Sequence, residues 1–215
     1  MKKLRGWNVR GEKHEEDNRV TLIIIAINIL VWMINIATGG GSIWGLVLSG
    51  GGYFKEVGEA TYPSIFVQGE WWRLLLCGYL HVGIFHLIFN IYALLIVGNK
   101  IEKRLRGISS CICYHLGIVV TASIWCLLIK QDSMVGASLG IYVWIGMMFV
   151  INRFDKLRTG LLITTRQRRY MISYMVIGCF WGINTIVVHL IGLAIGVLFG
   201  GIYIYFEKIS KKEEI

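Results

Sequence analysis

Proline is nearly absent from this chain: its 215 residues contain one, Pro63. Charge is scarce too, at 16% of residues, and it is clustered so that long runs carry none. With 55% hydrophobic residues and a mean hydropathy of +0.62, the chain is too apolar for a water-soluble domain of this size. Cysteine supplies no framework either. Cys77, Cys111, Cys113, Cys126 and Cys179 all lie in apolar stretches, with no Cys-x2-Cys pair and no histidine at zinc spacing. They read as small buried apolar residues, and neither a metal nor a cofactor is expected. The last absence is acid: no aspartate or glutamate lies inside any long apolar run.

What is present fits a bilayer. Uncharged apolar runs reach the length that spans a hydrocarbon core of ~30 Å. The formal net charge of +9 invites a nucleic-acid partner, but the basic residues sit in short segments between apolar runs. Interfacial lysine and arginine on the cytoplasmic side account for them better, so membrane lipid is the expected surrounding and nucleic acid is not.

Taken in order, residues 1–19 are polar and mixed in charge, and residues 20–37 form a first apolar span. A cleaved signal peptide is conceivable there, but the run is long for one and its leader is of mixed charge. We read it as a retained helix. Residues 38–72 are rich in glycine and aromatics, too short in each apolar piece to cross, and suited to the outer headgroup level. Further spans are expected over 74–97, 108–129 and 134–151. The run 170–206 is too long for one helix and divides near Gly182-Ile183-Asn184 into a short fifth and a long sixth span.

The expected fold class is therefore an all-α membrane protein, a six-transmembrane-helix bundle with an interfacial first loop and both termini cytoplasmic. This arrangement leaves only Lys55, Arg73 and Lys130 of the 22 lysines and arginines on the outer side, as the positive-inside rule requires. It divides the chain into a cytoplasmic segment 1–19, a membrane domain 20–206 and a basic cytoplasmic tail 207–215.

Polar side chains inside a membrane are costly, and each is a functional candidate. His86 and Asn90 are four residues apart and share one helical face. By the topology they lie in the outer half of their span or near its middle. Ser138 lies early in the fourth span and His189 early in the sixth, both of which start on the outer side, so the four residues share a depth. A serine hydroxyl becomes a nucleophile when a neighbouring base takes its proton, and histidine is the usual base near neutral pH. With no acid in the spans, a Ser138–His189 dyad is expected instead of a triad. Tyr142, one turn after Ser138, is placed to stack on the His189 ring. Asn90, His86 and the Ser138 N–H are the candidate oxyanion donors.

These motifs resemble those of the rhomboid intramembrane serine proteases, over about 69–200. The first loop ends in Trp72-Arg73, as the family's Trp-Arg pair does. His81, His86 and Asn90 match His-x4-His-x3-Asn, and Glu102 with Arg104 match a Glu-x-Arg turn. Gly136-Ala137-Ser138 with Tyr142 match the nucleophile motif, and His189, Gly192 and Gly196 match His-x2-Gly-x3-Gly. The resemblance implies an endopeptidase that cleaves a transmembrane protein substrate near the outer side of the membrane. The compact six-span form resembles prokaryotic members, which implies a cytoplasmic membrane.

One position departs: the family usually has glycine directly after the nucleophile, and here it is Leu139. Leucine adds bulk where the backbone would approach a neighbouring helix or the oxyanion. The alternative is therefore a catalytically impaired rhomboid-like pseudoprotease that binds membrane-protein clients. A small transporter would show an internal repeat, and none is visible.

The supporting residues have structural readings. His81 is expected to tie the second helix to the first loop by hydrogen bonding. Glu102–Arg104 is expected as an interfacial pair, and His115 and His14 as structural or incidental. The stripe Gly192-x3-Gly196-x3-Gly200 is expected to bring the sixth helix close to the fourth.

Overall fold

A computed structural model describes residues 18–39, 44, 47, 53–158, 163–179 and 182–213. The expectations for segment 1–19, for His14, for much of the glycine-rich loop and for the end of the tail fall largely outside these residues. Among the described residues the structure is helical, apart from one isolated antiparallel bridge between Ala60 and Met134. We label the principal helices α1 (Arg19–Thr38), α2 (Tyr53–Gly58), α3 (Arg73–Leu76), α4 (Ile84–Leu105), α5 (Gly107–Leu128), α6 (Ser138–Arg158), α7 (Thr165–Gly178) and α8 (Ile183–Glu213). α1, α4, α5 and the Ile183–Ile209 part of α8 are each long and apolar enough to cross a membrane.

α1 shows how the polarity of a soluble helix is inverted here. Leu22, Ile23, Leu30 and Met33 are exposed, whereas Thr21, Asn28 and Asn35, at seven-residue spacing, are buried. The apolar face is the one that suits lipid, and the polar side chains turn inward to the protein. Asn28 Nδ2 donates to the Ile24 carbonyl at 2.7 Å, and Asn35 Oδ1 accepts from the Lys55 N–H at 3.3 Å. Thr21 Oγ1 donates to Glu102 at 2.7 Å.

Glu102 also accepts the Val20 and Thr21 backbone N–H groups, each at 2.8 Å. A buried carboxylate thus caps the N-terminus of α1, where the helix dipole favours negative charge. Arg104 turns the other way, bonding Glu207 at 2.8 Å and the Tyr203 hydroxyl at 2.5 Å. The expected Glu102–Arg104 pair is therefore replaced by two ties, one to α1 and one to α8. Two residues apart on a helix, these side chains diverge.

α6 is the centre of the bundle. Every residue from Leu139 to Met148 is buried, so this helix packs against protein all round. Its N-terminal half carries Gly140, close under the Tyr114 ring of α5, and Gly146, which meets α8. A Cβ added at Gly196 would stand 2.1 Å from the Val143 carbonyl oxygen and 2.9 Å from Gly146 Cα. α6 and α8 thus cross backbone to backbone, as small residues permit in membranes. The expected partner of the glycine stripe is the observed one.

Two expected helices differ in their ends. The run 74–97 is broken: α3 passes into a tight turn at Cys77–Tyr79, Leu80 is extended, and Gly83 (φ 84°) precedes α4. His81 consequently lies in the bend, off the helix that carries His86 and Asn90. The helix expected as the fourth span starts at Ser138, not Met134. Met134 is held by the bridge to Ala60, and the Gly136 N–H donates to the Cys77 carbonyl at 2.8 Å. The division of 170–206 falls where expected, at Gly182 with φ 110°.

Two stability outcomes follow. Gly196→Ala should lower unfolding stability in detergent micelles by about 1–3 kcal/mol, because the added methyl forces α6 and α8 apart. Glu102→Ala should cost about 1–3 kcal/mol by stranding buried donors at the α1 terminus. An unchanged melting transition in either variant would refute the corresponding contact.

Candidate active site

The segment before Ser138 decides where the serine points. Gly136 has φ 135°, a backbone geometry that side-chain-bearing residues rarely adopt. It is also hemmed in: an added Cβ would lie 2.9 Å from His86 Cε1, 3.1 Å from His86 Nε2 and 3.3 Å from Ser138 Oγ. Gly136 therefore stands between the His86 ring and the serine hydroxyl with no room for a side chain. Of the first-turn amides of α6, Leu139 donates to the Gly136 carbonyl, and Gly140 and Ile141 to that of Ala137. The Ser138 N–H takes no part in this set, which leaves it at the positive end of a buried helix.

On α8, the His189 ring stacks flat on Tyr142, with centroids 3.8 Å apart and planes at 9°. The α6–α8 crossing makes this possible, because Gly192, one turn after His189, lies against Tyr142 Cβ and the Leu139 carbonyl. Ser138 and His189 are both buried. They line one cavity of about 210 Å³, together with His86, Asn90, Tyr174 and Asn184. Ser138 from α6, His86 and Asn90 from α4 and His189 from α8 thus meet in one space.

Asn90 is held on both sides of its amide. Nδ2 donates to the His86 carbonyl at 3.0 Å, and Oδ1 accepts from the Tyr174 hydroxyl at 2.9 Å. Tyr174, on the short helix α7, was not singled out from sequence. A tyrosine in an apolar run carries no spacing signal of its own, and only the packing of α7 over the cavity reveals it. At the start of α8, Asn184 Nδ2 donates to Asp132, joining the loop before Ser138 to the loop before His189.

The supporting residues are distributed around this centre. His81 is buried and meets His86 edge-on, with centroids 5.0 Å apart at 65°. Its ring nitrogens have no hydrogen-bond partner among the described residues, so packing is what places it. Arg73 bonds the Glu56 carbonyl at 2.8 Å, the Glu59 carbonyl at 3.2 Å and the Glu70 carboxylate at 2.5 Å. It staples the first loop together while its neighbour Trp72 stays exposed. His115 is structural: Nδ1 pairs with the Cys111 carbonyl at 2.8 Å and Nε2 with the Tyr79 hydroxyl at 2.5 Å.

Leu139 faces away from the site. It is 2% exposed, belongs to the apolar core and does not line the cavity. Among the described residues no group of three or more His, Cys, Asp or Glu is placed to hold a metal ion.

Residues 68–206 match the Rhomboid domain family. The chain belongs to the rhomboid family. With its apolar helices, this makes it an integral membrane protein. Among similar proteins, the rhomboid protease GluP of Bacillus subtilis (strain 168) is 33% identical over 142 residues, covering 65% of this chain and 26% of that one. Rhomboid-like protease 1 of Toxoplasma gondii is 34% identical over 82 residues, covering 38% and 28%. RHOMBOID-like protein 2 of Arabidopsis thaliana is 27% identical over 84 residues, covering 39% and 26%. The chain thus spans about a quarter of the length of the curated relatives it matches.

Crowding at Gly136 can be separated from backbone strain. Gly136→Ala should lower unfolding stability in micelles by about 2–4 kcal/mol, from strain plus collision with His86 and Ser138. Gly69→Ala, also at positive φ (76°) but with open space, should cost only about 1–2 kcal/mol. Equal losses in the two variants would mean that the cavity wall tolerates the methyl group.

Proposed function

We propose that this rhomboid is an intramembrane serine endopeptidase that cleaves transmembrane protein substrates near the outer side of the membrane. The observation that carries this reading is the shared cavity. Ser138, His189, His86 and Asn90 converge there from α6, α8 and α4, with Tyr142 stacked on His189. The protease names of relatives in Bacillus and Toxoplasma support it.

In this mechanism Ser138 Oγ attacks the scissile carbonyl carbon as His189 takes its proton. The carbonyl π electrons move to oxygen, and the Ser138 N–H, Asn90 Nδ2 and a His86 ring nitrogen stabilise that oxyanion. Collapse breaks the C–N bond, and His189 returns the proton to the leaving amine. Water then hydrolyses the acyl-serine by the same steps. Among the described residues no carboxylate bonds His189 Nδ1. The flat contact with Tyr142 orients the ring, which is why a dyad suffices.

The topology we propose has six spans with both termini cytoplasmic. The cytoplasmic segments are 1–19 and 207–215, flanking the membrane domain 20–206, in the cytoplasmic membrane of a prokaryote. α6 and α7 are the additional spans. α6 is surrounded by protein, so its apolar length need not match the bilayer. α7, at 14 residues, is roughly 21 Å long, short of the ~30 Å hydrocarbon core. A short helix over the cavity is the natural gate for a substrate segment. The burial of Leu139 in the core favours the protease over a pseudoprotease, since its bulk does not fill the catalytic space.

Ser138→Ala should reduce cleavage of a single-span reporter in proteoliposomes by at least about 10³-fold. A fluorophosphonate probe should label Ser138 in the parent chain and not in His189→Ala. Cleavage undiminished in Ser138→Ala would sink the assignment. A folded parent chain that neither cleaves nor labels would establish the pseudoprotease.

A further inference from the structure

Tyr174 is the residue of α7 that touches both halves of the site. Its ring lies 5.6 Å from that of Tyr142, which in turn stacks on His189, and its hydroxyl donates to Asn90 Oδ1 at 2.9 Å. Asn90 is 2% exposed, and both ends of its amide have protein partners that set its orientation.

The orientation follows from what those partners can do. The His86 carbonyl can only accept, so the group bonded to it at 3.0 Å must be Nδ2. Oδ1 then faces Tyr174, whose hydroxyl supplies the donor it needs. Nδ2 carries a second N–H, and that hydrogen is the one an oxyanion in the cavity would receive. Without the phenol hydroxyl, a buried acceptor loses its partner and only the bond to the His86 carbonyl restrains the terminal torsion of the amide. An oxyanion donor works because it is already aimed before charge develops.

We propose that Tyr174 is a positioning residue for the reaction: its hydroxyl holds the Asn90 amide with an N–H directed at the developing oxyanion. The proposal rests on the reading of Asn90 as an oxyanion donor. It gives α7 a second task besides covering the cavity. When α7 swings away, the Tyr174–Asn90 bond breaks, so the oxyanion hole is complete only while α7 is seated. Chemistry is thereby tied to closure, as in enzymes whose lid completes the catalytic set.

The experiment is a kinetic double-mutant cycle on the full chain in proteoliposomes, with a single-span reporter and thermal unfolding measured in parallel. Tyr174→Phe, which removes one oxygen and keeps the ring, should lower kcat about tenfold with KM within about twofold. On an Asn90→Ala background the same substitution should lower kcat no further. Wild-type kcat in Tyr174→Phe, or an equal loss on both backgrounds, would overturn the proposal. A raised kcat would also overturn it, assigning the hydroxyl to a latch that only holds α7 shut.

Should Tyr174→Phe fail to fold, monofluorotyrosine at position 174 retains ring and hydroxyl while making the O–H a stronger donor. kcat should then rise with KM unmoved, because the polarised amide gives a better N–H donor. Indifference of kcat to the fluorine would overturn the proposal. The parent chain and Ser138→Ala in the same assay separate the two levels: equal rates there would refute the protease reading itself.

Discussion

Backbone contact between α6 and α8 is the constraint on which the remaining structure depends. Gly146 and Gly196 meet with no side chain between them, and Gly192 extends the contact toward the N-terminal end of α8. At that distance Tyr142 and His189 stack face to face, and the cavity holding Ser138 closes to a small volume. Apolar side chains at the crossing would hold the helices farther apart and leave the ring and the serine in separate surroundings. In lipid there is no hydrophobic drive to bring helices together, so close van der Waals contact between small residues does that work.

A second constraint is the satisfaction of polar groups where water is absent. Glu102 closes the N-terminus of α1, Arg73 gathers carbonyls of the first loop, and Arg104 ties α4 to α8. Each of these charges is consumed by backbone or side-chain partners within the protein. The polar groups of the cavity differ in kind. Ser138, His189 and the Asn90 amide face a cavity of about 210 Å³, and the proposed chemistry uses that difference.

Much of the fold could be read from the chain. Spans one and three, the break at Gly182 and the glycine contact between the fourth and sixth helices all appear where hydropathy and small-residue spacing put them. The convergence of Ser138, His86, Asn90 and His189 on one cavity was also legible, because counting along the expected helices put the four at a common level. What escaped was local geometry set by distant partners. The break at Leu80–Gly83 lies inside an apolar run, and the unwound stretch before Ser138 is held by Ala60 and Cys77, far away in sequence. Glu102 and Arg104 were expected as an interfacial pair from the Glu-x-Arg turn, although side chains two residues apart point in different directions on a helix.

The amino-acid sequence by itself determined that this is a helical membrane protein of the rhomboid type, and which polar residues are the candidates for its proposed chemistry. Those properties depend on composition, run length and spacing, which are local to the chain. Tertiary structure alone decided that Ser138 opens α6, that Leu139 turns into the core, and that Tyr174 holds Asn90. These outcomes depend on which backbone groups and side chains from remote segments reach a given point. The direction of a side chain and the partner of a buried amide have no signature in any single stretch of sequence.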